Sequence, residues 1–289
     1  KKPVPKSGGI AIIISYFSTL AYSSNLNLYF FGTTILLSLL IVLDDLYQLN
    51  RYLRLVSQFL ILLPFALNIF NFDNTLISQI ILALILLVFC SFINLFNFFD
   101  GLNMLLSSQF LISLSFYLLN YELLGLGDNI NDFKILIGSV LAFLLFNSFG
   151  LLFMGDVGSC FLGLFSATIF IKSIIIGNIS NAILILAPLL PILSDTSLTL
   201  LIRMKNGEKF FSTPHKQHAY QLIASMGLNH LFVATLYMLK QIIYTTFVFF
   251  IYQSNTKISV LLGSIFIVVF FELILISKIR KKAKKNRII

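Results

Sequence analysis

Charge is scarce in this chain. Only 11% of its 289 residues are Asp, Glu, Lys or Arg, while 58% are hydrophobic. No soluble globular class has that balance. Cysteine is scarcer still. Cys90 and Cys160 both lie in or beside apolar runs, which excludes a disulfide framework, and no Cys-x-x-Cys metal spacing occurs. No polar stretch is long enough to fold as a separate soluble domain, no internal repeat is visible, and the start shows no cleavable signal peptide. The whole of 1–289 therefore reads as a single integral-membrane domain. The net charge of +9 is judged by where the charges sit, and it is no nucleic-acid footprint.

What is present is a series of apolar runs. Measured against a span of about 20 residues, they predict about ten helices in an all-α polytopic membrane protein. The expected spans are 9–23, 28–43, 55–70, 76–96, 104–124, 135–149, 161–176, 182–202, 230–252 and 258–276. Orientation follows from the basic residues. Lys278, Arg280, Lys281, Lys282, Lys284, Lys285 and Arg287 place the tail on the cytoplasmic side. Counting back one crossing per helix puts the loop with Arg203, Lys205, Lys209 and Lys216 on the same side, together with the turns after residues 43, 96 and 149. The opposite side receives Asp73, Glu122, Asp128 and Asp132, with only Lys134 and Lys257 as basic loop residues. Every loop rich in Gly, Asp or His thus falls on one face.

Residues 153–163, FMGDVGSCFLG, set the carboxylate of Asp156 between Gly155 and Gly158. Facing the bilayer centre, such a charge costs roughly 2.5–3.5 kcal/mol. The expectation is a turn at the membrane edge, with the next helix starting at Ser159. Unpaired amides at a helix start attract phosphate, and a carboxylate beside them can hold Mg²⁺, a hard ion that takes oxygen ligands. A polar turn between two spans is the competing reading of this segment.

Residues 43–50, LDDLYQLN, place Asp44 and Asp45 at a helix end, where adjacent anions repel each other and the helix dipole disfavours both. The pair wants a cation or a basic partner. It is either a base with metal-proximal carboxylates or a solvated helix end near Arg51 and Arg54. In residues 94–103, NLFNFFDGLN, Asn94, Asn97 and Asp100 recur at i, i+3, i+6 on one helix face. Asn offers donor and acceptor together, as nucleobase or sugar recognition needs; interhelical packing is the plainer use. Residues 214–221, PHKQHAYQ, set His215 and His218 one helical turn apart around Lys216, an arrangement suited to a diphosphate. A zinc site there is weakly supported, since His230 is distant and no Cys is near. Asp195, about two turns inside the preceding helix, should face a polar cavity or pair with Arg203. Lys6, in the basic Pro/Gly turn 3–10, can touch phosphate or merely orient the first span. Lys172, Lys240 and Glu272 read as snorkelling or interhelical partners.

Taken together, these residues resemble the polyprenyl-phosphate N-acetylhexosamine-1-phosphate transferases, glycosyltransferase family 4. The resemblance rests on Gly8-Gly9, Asp44-Asp45, Asn94-x-x-Asn97-x-x-Asp100-Gly101, the Phe153–Ser159 stretch and the histidine loop, all in family order. It implies a bacterial inner-membrane enzyme with a cytoplasmic active face. That enzyme would pass a sugar-1-phosphate from a UDP-N-acetylhexosamine to undecaprenyl phosphate, releasing UMP and starting a cell-surface glycan. It implies Mg²⁺ on Asp156, with Mn²⁺ as a substitute, and membrane lipid and a second copy of the chain as partners. Catalytic roles fall to Asp44, Asp45, Asp100, Asp156, His215 and His218, and substrate contacts to Lys6, Asn94, Asn97, Asn103 and Lys216. The His-x-x-His-Ala-Tyr-Gln form resembles the O-antigen-type branch of lipopolysaccharide synthesis, which acts on often 6-deoxy sugars. One further helix is expected before Lys1. Three departures stand out. Asn103-Met104 replaces a usual Asp-Gly. Residues 148–152 lack the common Pro and basic residue. Lys216 stands where Arg, a bidentate fork, is common. The alternatives are a lipid or solute transporter, which would need polar residues along a mid-membrane path, and a non-catalytic scaffold derived from the enzyme.

Overall fold

A computed structural model describes residues 4–70, 72–73, 75–176, 178–207, 217–254 and 257–286. The protein is an all-α polytopic membrane protein, 84% helical, with no strand among the described residues. Its helices are α1 (Gly8–Tyr22), α2 (Leu28–Tyr47), α3 (Arg51–Ile69), α4 (Leu76–Phe99), α5 (Leu105–Leu119), the short α6 (Tyr121–Leu124), α7 (Ile130–Ser148), α8 (Gly155–Ile175), α9 (Ile179–Leu186), α10 (Leu190–Lys205), the short α11 (Ala219–Ser225), α12 (His230–Ser254) and α13 (Ile258–Lys285). Asparagines start several of them. The side chains of Asn27, Asn50, Asn178 and Asn229 each accept a first-turn amide that the helix leaves unpaired.

Among the described residues eight segments are long and apolar enough to cross a membrane, with α9 and α10 counted as one. The remaining two of the ten expected spans, α1 and α5, have 15 residues each. At 1.5 Å per residue that is roughly 22 Å, short of a core about 30 Å thick. The expected helix at 182–202 is broken by a 3-10 turn at Ala187–Leu189, because Pro188 and Pro191 cannot donate to the preceding turn. The expected stretch 104–124 is likewise divided at Asn120, between α5 and α6. α13 does not stop at 276 but continues to Lys285, so the basic tail is helical as far as that residue.

The chain divides into two compact units. The first comprises the described residues within Lys1–Asn97 and Asp128–Gly177. Here α1 packs on α7 and α8, and α2 on α3 and α8. Its interior is aromatic: Tyr16, Phe17, Phe30, Phe161 and Phe165 meet with ring centroids 5.0–6.4 Å apart, mostly edge-on or tilted. α4 approaches α8 closely at Gly163, where an added Cβ would lie 2.7 Å from the Phe92 carbonyl oxygen. Small residues at such crossings let backbones come together where lipid offers no hydrophobic drive.

The second unit comprises the described residues within Phe98–Gly127 and Asn178–Ile289. Buried polar side chains stitch it together. The amide of Gln241 donates to the carbonyls of Gln109 and Pro188, both at 2.8 Å, and to Ser113 Oγ at 3.0 Å. This ties α12 to α5 and to the turn at 187–189. Lys240 and Glu272 form an interhelical ion pair at 2.7 Å, as the sequence suggests, and Tyr244 donates to the same carboxylate at 2.7 Å. The Lys240 ammonium also stands 3.6 Å from the centre of the Tyr237 ring.

Candidate functional site

In the first unit the site is built where α1 and α8 begin. Gly8 N–H donates to the Phe153 carbonyl and Gly9 N–H to that of Met154, while Phe153 N–H donates to Pro5, all at 2.9 Å. Two glycine motifs far apart in sequence are therefore one piece of structure. The fit permits no side chain: a Cβ on Gly9 would lie 2.1 Å from Gly158 Cα, and one on Gly155 would lie 2.2 Å from the Lys6 carbonyl oxygen. Gly155 has φ +74°, the left-handed region that glycine adopts without strain.

That glycine opens α8, which corrects the expected start at Ser159 or 161. Asp156 is thus in the first turn of the helix, exposed, at the end where backbone N–H groups favour a negative charge. Asn97 steadies it from α4. The Asn97 amide donates to Asp156 Oδ2 at 3.4 Å, and its oxygen accepts from Ser159 Oγ at 3.0 Å. Asp156 Oδ1 has no partner among the described residues. Asn94, one turn back, is committed elsewhere: it donates to Gln58 Oε1 at 2.9 Å and to the Cys90 carbonyl at 2.7 Å. It serves the packing of α3 against α4, the plainer of its two readings.

Asp44 meets Arg54 at 2.8 Å, so the cation this pair needs is supplied by the next helix. Asp45 is exposed and has no partner among the described residues. Lys6 is exposed. Val157, the residue after Asp156, lines an apolar cleft of about 210 Å³ together with Ile10, Ile13, Ile35, Leu39 and Val42, with Ser38 as its one polar lining residue. A second cavity of about 210 Å³, lined in part by Asp128, Asp132 and Lys172, lies towards the other end of α8. Sixteen residues of helix, roughly 24 Å, separate Lys172 from Asp156, so this cavity is no part of the site.

In the second unit Asp100 follows α4 directly and is half-buried. Asn103 is in the turn before α5. Met104 has φ +66°, a left-handed backbone that strains a side chain with a Cβ. This gives the Asn103-Met104 departure a physical meaning, because glycine is the residue that suits such a position. Met104→Gly is expected to raise stability by about 1 kcal/mol, read from reversible unfolding in mixed micelles. A loss of stability would show that the Met104 side chain contributes more than its backbone costs.

His215 and Lys216 lie outside the described residues. His218 caps α11 and is 3% exposed. Burial pushes its pKa down to about 4, helped by the guanidinium groups of Arg203 and Arg280. The Asp195 carboxylate, 3.9 Å from Nδ1, pulls the other way and is outweighed. At neutral pH His218 is therefore an uncharged imidazole. The sequence reading placed Arg54 near the Asp44-Asp45 pair and Ser159 at a helix start, and gave Tyr220 no role of its own. Asp195 was expected to face a polar cavity or pair with Arg203; it accepts hydrogen bonds from Thr199, Ala219, Tyr220 and Tyr237.

Among the described residues no three His, Cys, Asp or Glu side chains cluster as a metal site. A zinc-type cage is thus not assembled from them. Mg²⁺ asks for less, since it binds through one or two carboxylates together with water and substrate phosphate. The exposed Asp156, with one oxygen free, fits that requirement.

A family model, glycosyl transferase family 4, matches residues 27–174, just over half of the chain. The match covers Asp44, Asp45, Asn94, Asn97, Asp100, Asn103 and Asp156, and stops short of the histidine segment. No curated protein matches the chain.

Proposed function

The chain belongs to glycosyl transferase family 4, and on that premise we propose that it moves an N-acetylhexosamine-1-phosphate from a UDP-sugar to undecaprenyl phosphate at the cytoplasmic face of a bacterial inner membrane. Sugar-1-phosphate transfer to a polyprenyl phosphate is the family's general reaction, and the protein is a multi-pass membrane glycosyltransferase. The observation that carries the finer reading is the setting of Asp156. An exposed carboxylate heads α8, one oxygen steadied by Asn97 and the other without a partner among the described residues, and the next residue, Val157, lines an aliphatic cleft. Charge for a diphosphate and an apolar surface for an isoprenoid tail thus adjoin. The cytoplasmic orientation is supported by the basic tail and the Arg203–Lys216 loop.

In the proposed reaction a phosphate oxygen of the lipid attacks the sugar-linked phosphorus. That P–O bond forms as the bond to the bridging oxygen breaks, and UMP leaves with the electron pair. Catalysis is chiefly positioning and charge neutralisation. Asp156 would hold Mg²⁺, or Mn²⁺ through the same oxygen donors, and the ion when bound supplies positive charge to the diphosphate. Asn97 keeps the carboxylate in place. Asp45, exposed and with no partner among the described residues, is better suited than Asp44 to accept the lipid phosphate's proton, because Arg54 engages Asp44. Asp100 and Asn103 would meet the nucleotide sugar. His218 would contribute as a neutral donor, and His215, Lys216 and Lys6 would contact phosphate. The form of the histidine segment supports the O-antigen type of sugar, including 6-deoxy N-acetylhexosamines.

The test is UMP release from the purified full chain in detergent, with undecaprenyl phosphate, Mg²⁺ and a panel of UDP-N-acetylhexosamines. Release that requires both lipid and metal is the expected result. No release with any sugar, from protein shown to be folded, would overturn the proposal in favour of a scaffold.

A further inference from the structure

Asp195 is fully buried on α10, yet four donors converge on its carboxylate. Ala219 N–H donates to Oδ1 at 3.0 Å and Tyr220 N–H to Oδ2 at 3.4 Å; Thr199 Oγ1 donates to Oδ1 at 3.3 Å, and the Tyr237 hydroxyl to Oδ2. The two amides are the first of α11, donors that a helix cannot satisfy within itself. Asp195 therefore caps α11 from a neighbouring helix. A carboxylate suits that place better than an amide, because it only accepts.

The capped segment is also tied at its other side. The Tyr220 hydroxyl donates to the Phe98 carbonyl at 2.7 Å, and its ring meets that of Phe99 at 5.3 Å. A Cβ on Gly101 would lie 2.5 Å from the same hydroxyl. Residues 98–101 hold Asp100 between them, and Tyr220 is two residues from His218, whose ring stacks on it at 5.6 Å. One tyrosine thus spans from the histidine cap to the backbone around Asp100.

We infer that Asp195 and Tyr220 are positioning residues: Asp195 fixes the start of α11, and Tyr220 transmits that position to Asp100, setting it relative to His218. The inference rests on the transferase reading for the roles of Asp100 and His218, but the anchor itself is a claim about structure alone.

The full chain in detergent, as wild type, Asp195→Asn and Tyr220→Phe, tests both. Hydrogen exchange is followed in peptides covering 217–225 and 98–105, alongside UMP release. In Asp195→Asn the first peptide should exchange at least about tenfold faster, and kcat should fall about tenfold or more. Tyr220→Phe loses only a hydroxyl and should fold normally. It should exchange faster at 98–105 and lose about three- to tenfold in kcat, with KM for the UDP-sugar and the melting temperature unchanged. That split is one a merely structural role would not produce. Wild-type exchange in both variants overturns the anchor, whatever the activity. Faster exchange with unchanged kcat overturns the positioning role. Wild-type protein that releases no UMP with any sugar overturns the transferase reading and the positioning role with it, while exchange still decides the anchor.

Discussion

Asp156→Asn is expected to cut lipid- and Mg²⁺-dependent UMP release at least about a hundredfold, while the protein stays inserted and folded. Both halves follow from the same geometry. Asp156 is exposed, so the substitution opens no cavity and buries no new polar group. Asn is isosteric and keeps an oxygen to accept from Asn97, the one hydrogen bond the carboxylate side chain makes among the described residues. What disappears is the charge. A neutral amide oxygen is a much weaker ligand for a hard divalent ion, and among the described residues Asp156 belongs to no cluster of three or more His, Cys, Asp or Glu that could hold the metal in its place. Melting temperature and membrane extraction should therefore match wild type, while transfer fails. Asp44→Asn offers a contrast, because it breaks the pair with Arg54. That pair is partly exposed, so the loss should be at most about 1 kcal/mol. Full activity in Asp156→Asn would sink the metal assignment.

The membrane class and most helices were legible from hydrophobic run length, because a bilayer imposes one length on every span. α2, α4, α12 and α13 begin at the residues the apolar runs indicate. The misjudged boundaries have local causes. Glycine and aspartate look like a turn in sequence, yet Gly155 and Asp156 form the first turn of α8, where a left-handed glycine and an anion both suit a helix start. The lysine tail looks like a loop, but Arg280 donates to Gln217 at 2.7 Å and Ala283 is buried, so that stretch of α13 stays packed. The candidate site was legible as a set of residues, less so as contacts. Spacing put Asn94 and Asn97 on one face, but it could not say that Gln58 would take the first and Asp156 the second. Nor could it give the ordinary charge of His218, which depends on burial and on guanidinium groups at distant positions. The buried polar contacts of Gln241, Lys240 and Glu272 hold helices of the second unit together.

The pairing of the two glycine motifs was the least legible feature, and it yields the second large prediction. Gly9→Ala should destabilise the protein by about 1–3 kcal/mol or more and remove most activity. Its new methyl would stand 2.1 Å from Gly158 Cα and 2.4 Å from Gly158 N, both backbone atoms of α8. No side-chain rotation relieves such a contact, so α1 and α8 must part. Parting them stretches the hydrogen bonds from Gly8 and Gly9 to residues 153 and 154, which immediately precede the turn carrying Asp156. Stability and chemistry should therefore fail together, unlike in Asp156→Asn, where only chemistry fails. Gly32 and Gly138 supply the control. Both lie inside helices and have nothing within 4 Å of an added Cβ. Alanine at either position should leave activity intact and stabilise by about 0.5–1 kcal/mol, through the freedom glycine loses on folding. Thermal unfolding in detergent and UMP release, measured on all three variants, decide the matter. If Gly9→Ala melts and turns over like wild type, the close contact between the two helix starts is not what holds the site.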